Sequence, residues 1–72
     1  MTLKEEKPGN SVTIRRQNST APVKKKLMDM GLTKNTEVYI RKVAPLGDPI
    51  ELTVRGYELS IRKADAALIE VE

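Results

Sequence analysis

The chain contains no cysteine and no histidine. Without cysteine, disulfide staples and thiolate metal sites are excluded. Without histidine, the usual general base near neutral pH is missing, as is the commonest nitrogen ligand for transition metals. Any metal site would have to be built from carboxylates alone. Tryptophan and phenylalanine are absent too, leaving Tyr39 and Tyr57 as the only aromatic residues, too few for a platform on which nucleic-acid bases stack. No apolar run approaches the roughly 20 residues that cross a bilayer. The opening stretch, MTLKEEKPGN, also lacks the apolar core of a secretory signal. No phosphate-binding loop of the Walker type occurs, and no hydroxyl nucleophile has a histidine to activate it. These absences lead to the expectation of a soluble cytoplasmic protein with no catalytic residues and no cofactor.

What the chain does have is charge. In 72 residues there are 13 Lys and Arg against 10 Asp and Glu, a net +3. The excess is uneven: residues 1–26 hold 7 basic and 2 acidic residues, while residues 27–72 hold 6 basic and 8 acidic. A domain this small buries only about 60% of the surface its unfolded chain exposes. That leaves room for one core, so residues 1–72 read as a single domain, with residues 1–8 as a flexible lead-in.

The clearest pattern runs from Val43 to Lys63. Ile50, Leu52 and Val54 alternate with Glu51, Thr53 and Arg55; Tyr57, Leu59 and Ile61 then alternate with Glu58, Ser60 and Arg62. A period of two, repeated, predicts a pair of half-buried strands. With Arg55 and Gly56 as a two-residue turn, Val54 faces Tyr57, Leu52 faces Leu59 and Ile50 faces Ile61, all expected on the core side. A slip of one residue would put the whole set in water. On the other face Glu51 meets Ser60, with Arg62 as its expected diagonal ion partner.

Elsewhere, Val12 and Ile14 alternate with Thr13 and Arg15 in a strand over Ser11 to Arg16, and Val38 and Ile40 do so in a strand ending near Ala44. Between them Ser19 or Thr20 can cap a helix that carries Pro22 in its first turn. Val23, Leu27 and Met30 form its apolar stripe, Lys24, Lys25 and Lys26 cover the remaining arc, and Gly31 stops it. Leu32 is placed to fold back on the last turn. Asn35 suits a positive φ in the turn that follows. Pro45-Leu46-Gly47-Asp48-Pro49 breaks the sheet, Lys63 to Ala67 reads as a single helical turn, and Leu68 to Glu72 is a last strand with Ile69 and Val71 inward. About five short strands and one short helix predict a mainly β fold, a small closed or nearly closed barrel.

Three strings carry a resemblance: Met30-Gly31-Leu32 after a basic helix, Ala44-Pro45-Leu46-Gly47-Asp48-Pro49-Ile50, and the Val54 to Lys63 hairpin. From about Lys7 to the C-terminus the chain resembles the FeoA family, the small partners of the bacterial ferrous iron transporter FeoB. Where that family often has Pro-Gly-Thr after the Met-Gly-Leu string, this chain has Lys34-Asn35-Thr36. The resemblance extends to the C-terminal domain of metal-dependent repressors of the DtxR type. It implies an SH3-like barrel that works by binding protein, without catalysis, as a cytosolic accessory of ferrous iron uptake. A free-standing domain favours the transporter partner over a repressor, with membrane association only through that partner and any self-association weak.

Asp48, Glu51 and Glu58 lie in or beside the hairpin and invite an Fe(II) site. Oxygen ligands alone select such a metal poorly, so Asp48 reads as turn chemistry and the glutamates as a solvated face, with iron the transporter's cargo. Lys24 to Lys26 raise a nucleic-acid-binding module as the alternative, against which the shortage of aromatics weighs; no direct nucleic-acid contact is expected. The candidate docking surface is the helix together with the Leu46 loop. It comprises Lys24, Lys25, Leu27, Met28 and Leu46, with Leu27 also counted in the core stripe. Met28 stands off that stripe, and Leu46 is an apolar residue at a loop tip.

Overall fold

Alternating sequence becomes strand throughout the computed structural model, which describes residues 1–72. A 3₁₀ turn, Leu3–Glu5, precedes β1 (Ser11–Gln17), α1 (Ala21–Asp29), β2 (Glu37–Val43), β3 (Ile50–Val54), β4 (Tyr57–Ile61), the one-turn α2 (Lys63–Ala66) and β5 (Ile69–Val71). The strands are antiparallel neighbours in the order β4-β3-β2-β1-β5. β1 pairs with β2 through Ser11 to Thr13 and with β5 through Ile14 to Gln17. Within the β1–β5 pairing, between Ile14 and Arg16, lies a bulge, which bends the strand and helps roll the sheet around one core.

The β3–β4 hairpin has the register its alternation requires: Ile50 opposite Ile61, Leu52 opposite Leu59, Val54 opposite Tyr57. Arg55 at φ 51° and Gly56 at φ 82° both take left-handed conformations, the two-residue turn whose twist matches that of the flanking strands. Ile50, Leu52, Val54 and Ile61 are buried, and Leu59 packs part-buried against them.

Two expectations about this hairpin fail. Tyr57, expected in the core, is 77% exposed. It begins the sheet's edge strand beside the turn, where no further strand lies alongside to cover its ring. Glu51 does not pair with Arg62. Its partner is Arg41 at 3.0 Å, because a bulge in β2 between Ile40 and Lys42 leaves Arg41 as the extra residue, turned toward Glu51 and, at 3.9 Å, Glu58.

Thr20 occupies the N-cap position of α1, with Pro22 in the first turn. The helix ends in a Schellman arrangement: the Leu32 N–H donates to the Leu27 carbonyl at 3.0 Å and the Gly31 N–H to that of Met28 at 2.9 Å. Gly31 at φ 95° supplies the left-handed residue this requires. Leu27 and Leu32 are buried, with Val23 and Met30 packed part-buried beside them. Asn35, standing in for glycine, takes φ 69°. Ile69 and Val71 face in.

The first residues, expected to be a flexible lead-in, are tied down. Leu3 is fully buried, Thr2 bridges to Glu70, and the Val71 N–H donates to the Met1 carbonyl at 2.9 Å. Glu5 accepts from both the backbone N–H and the hydroxyl of Thr2, each at 2.9 Å. Those two hydrogen bonds hold its carboxyl below the ordinary glutamate range. This segment covers the β5 edge of the sheet, leaving β4 as the open one.

Candidate functional site

The concave part of the surface is made by the bulge in β1. Strict alternation would send Arg15 outward and Arg16 inward. The extra residue breaks the alternation, so Ile14 stays buried while Arg15 and Arg16 are both exposed, side by side. Two carboxylates in and just after β5 answer them: Arg15 pairs with Glu72, and Arg16 Nε with Glu70 at 2.9 Å. Asn18 donates a further hydrogen bond to the same Glu70 oxygen. The Asn18 amide and the Arg16 guanidinium together hold the Glu70 carboxyl below its ordinary range.

The opposite wall is α1. Lys24 and Met28 are one helical turn apart on the same face, and both border a hollow of about 370 Å³ whose other walls are Arg16, Gln17 and Lys34. Arg16 and Lys34 also border a second hollow of about 470 Å³ with Arg15, Glu70, Val71 and Glu72. The two hollows therefore adjoin as one groove. Its frame is fixed by hydrogen bonds to the backbone. The Gln17 side-chain amide donates to the Leu32 carbonyl and ties the end of β1 to the helix exit. Lys34 is set beside β1 because the Asn35 N–H donates to Ile14 at 2.8 Å and the Ile14 N–H to Thr36 at 2.9 Å. Neither Lys24 nor Lys34 has an ion partner within the chain, and Lys25 reaches Asp29 only at 4.0 Å.

The residues selected from sequence as a docking surface are not brought together. Lys24 and Met28 lie in the groove. Lys25 is exposed outside it. Leu27, 1% exposed, belongs to the core and cannot serve as a surface contact. Leu46 is 89% exposed but lies at the other end of the sheet. Its loop runs into Ile50 at the start of β3, whereas the end of α1 packs by Gly31 toward Val54, the last residue of that strand. The length of β3, about 13 Å at 3.3 Å per residue, separates the two.

Arg15, Arg16 and Lys34 of the groove were not selected. The readable sign was the pair Arg15-Arg16 after an alternating run, a break in period that marks a bulge. Their carboxylate partners, more than 50 positions away, carry no such sign.

The carboxylates considered for iron are engaged separately. Asp48 accepts from the Lys63 backbone N–H at 3.0 Å, fastening the Leu46 loop to the start of α2. Glu51 and Glu58 both approach Arg41. No three acidic side chains converge.

A five-stranded antiparallel sheet rolled around one core, with one helix packed beside it and a charged groove along the helix, defines a small SH3-like β module. The chain belongs to the FeoA family: the FeoA domain model matches residues 1–72. It is 33% identical over all 72 residues to the Fe(2+) transport protein A/Fe(2+) transporter FeoB fusion protein of Porphyromonas gingivalis, of whose length the chain spans 8%. Among solved structures it is similar to an FeoA-like protein from Clostridium acetobutylicum, with 43% identity, a TM-score of 0.92, and coverage of 100% of this chain and 84% of that one. It is also similar to Stenotrophomonas maltophilia FeoA complexed with zinc, described as a unique procaryotic SH3 domain protein, with 25% identity, a TM-score of 0.84, and coverage of 100% and 89%. The family is linked to ferrous iron transport, and in the Porphyromonas gingivalis relative the FeoA part is joined to FeoB.

Proposed function

We propose that this chain is a non-enzymatic accessory of ferrous iron uptake that docks on the cytosolic part of a FeoB-type transporter and modulates it by surface contact. The observation that carries this reading is the relative in which a sequence matching all 72 residues shares one polypeptide with FeoB. Fusion holds two modules at effective concentrations of about millimolar, so a contact too weak to form between separate chains at cellular levels is still made. Selection for such a contact accounts for the joining, and a separate chain would have to form it by its own surface.

No helix of the chain is long and apolar enough to cross a membrane. In this reading the protein is cytoplasmic and reaches the inner face of the membrane only through its partner. Iron is the transporter's cargo and needs no ligand here. The test is isothermal titration of the purified chain into the purified cytosolic part of the transporter. Saturable binding is the expected result; no heat and no co-elution at concentrations up to about 100 μM, where even weak accessory contacts register, would refute it.

A further inference from the structure

Resting on the transporter reading, we propose that the groove between β1 and α1 is the recognition surface, and that its occupant is an acidic segment of the partner carrying an apolar side chain that seats on Met28. Four cations border this groove, and they differ in what they already hold. Arg15 and Arg16 are matched by Glu72 and Glu70, whereas Lys24 and Lys34, on opposite walls, have no acidic partner. Two free ammonium groups facing one hollow fit carboxylates supplied from outside. Between them Met28 is 44% exposed, while Val23, Leu27 and Met30 of the same helix pack on the core. A flexible thioether flanked by cations fits a side chain that is apolar among acids.

The same groove disfavours nucleic acid. Glu70 and Glu72 stand along it, so a phosphate backbone entering there would meet carboxylates as well as cations. Neither tyrosine borders it, leaving no ring on which a base could stack. A peptide can alternate acid with apolar or basic residues and satisfy both hollows. The walls are also already held, by the tie from Gln17 to Leu32 and the backbone pairing of Ile14 with Asn35 and Thr36. A preformed groove lowers the ordering cost of binding a short segment.

The experiment compares variants of the full chain in titration against the cytosolic part of the transporter. Lys24 and Lys34 are exposed, so Lys24→Glu with Lys34→Glu leaves the fold intact. This pair should weaken binding roughly tenfold or more. Met28→Ser alone should weaken it about threefold to tenfold, with less dependence on salt. Lys26→Glu with Lys42→Glu makes the same change of net charge at exposed positions outside the groove. It should change affinity less than about twofold, since distant charges act mainly through a screened field.

If both double variants weakened binding alike, general charge attraction would explain it and the groove would be refuted. If neither did, the groove would be refuted while the transporter reading stood. Absence of binding by the unaltered chain would count against the transporter reading itself. Displacement of the transporter fragment by single-stranded RNA at matched concentration, with a steep loss as salt rises, would overturn the choice of occupant.

Discussion

The β3–β4 hairpin and the β1–α1 groove are built from opposite kinds of contact. In the hairpin every pairing lies within 11 residues along the chain, from Ile50–Ile61 to Val54–Tyr57, and each is dictated by alternation and a two-residue turn. In the groove the contacts that set the side chains are remote: Arg15 meets Glu72 across 57 positions and Arg16 meets Glu70 across 54. The hairpin buries its apolar face and has little left to offer a partner beyond the exposed Tyr57. The groove spends little apolar surface on the fold and leaves cations and a methionine facing solvent. Local pairing supplies the scaffold here; non-local pairing supplies the surface proposed for recognition.

This division is tested first where the effect should be largest. Leu52 is fully buried at the centre of the hairpin, and Leu52→Ala should cost about 2–5 kcal/mol by denaturant unfolding. Much of the stability of a domain this small would be lost with it. A cost under about 1 kcal/mol, the size of a single ordinary substitution, would mean that the hairpin is not the scaffold. Next comes Gly31, which ends α1 at φ 95° next to the groove. Gly31→Ala forces a side chain into the left-handed region and should cost about 1 kcal/mol, measured as a fall in Tm. No change in Tm would indicate a helix end free to rearrange, and so a groove wall less fixed than described.

The contrast also explains what could be read from the sequence. The register from Ile50 to Ile61 was legible pair by pair, because a period of two and Arg55-Gly56 leave one register that buries most of the apolar set. The helix stop was legible from Gly31 and Leu32, and the positive φ at Asn35 from residue type alone. Tyr57 was misread because alternation gives a side chain's face and not whether another strand lies beyond it. Leu3 was not recognised as a core residue because one apolar residue in a charged lead-in has no period; it is buried in a segment held by the pairing of Thr2 and Met1 with β5. Of the residues that line the groove, Lys24 and Met28 stood out in the sequence as surface positions, whereas Arg15, Arg16 and Lys34 did not, because their placement follows from a bulge, the return of the C-terminal strand and the backbone pairing of Ile14 with Asn35 and Thr36.

Smaller effects sharpen the same comparison. Arg41 bridges Glu51 and Glu58 on the outer face of the hairpin with about a third of its side chain exposed. Arg41→Ala should therefore cost no more than about 1 kcal/mol, the range of partly screened ion pairs. A markedly larger loss would give the outer face a structural weight assigned here to the core.

The smallest effect belongs to the groove. Glu70 has a folded-state pKa below its ordinary value, through Asn18 and Arg16. A depressed carboxylate contributes stability that is present above the unfolded value, near 4.5, and is lost as pH falls toward and through the folded one. Glu70→Gln should remove that contribution, lowering the neutral plateau slightly, leaving stability at low pH nearly unchanged and so flattening the acid limb below about pH 4.5. An unaltered acid limb would place the proton-linked stability elsewhere, with Glu5 and its Thr2 hydrogen bonds the next group to test.

The most direct measurement of the division between scaffold and recognition surface is a backbone amide NMR titration of the labelled chain with the transporter's cytosolic part. Shifts should cluster at Arg16, Gln17, Lys24, Met28 and Lys34, with Leu52, Leu59 and Ile61 unmoved. Shifts centred on the Leu46 loop or on the Tyr57 edge, with the groove silent, would contradict it.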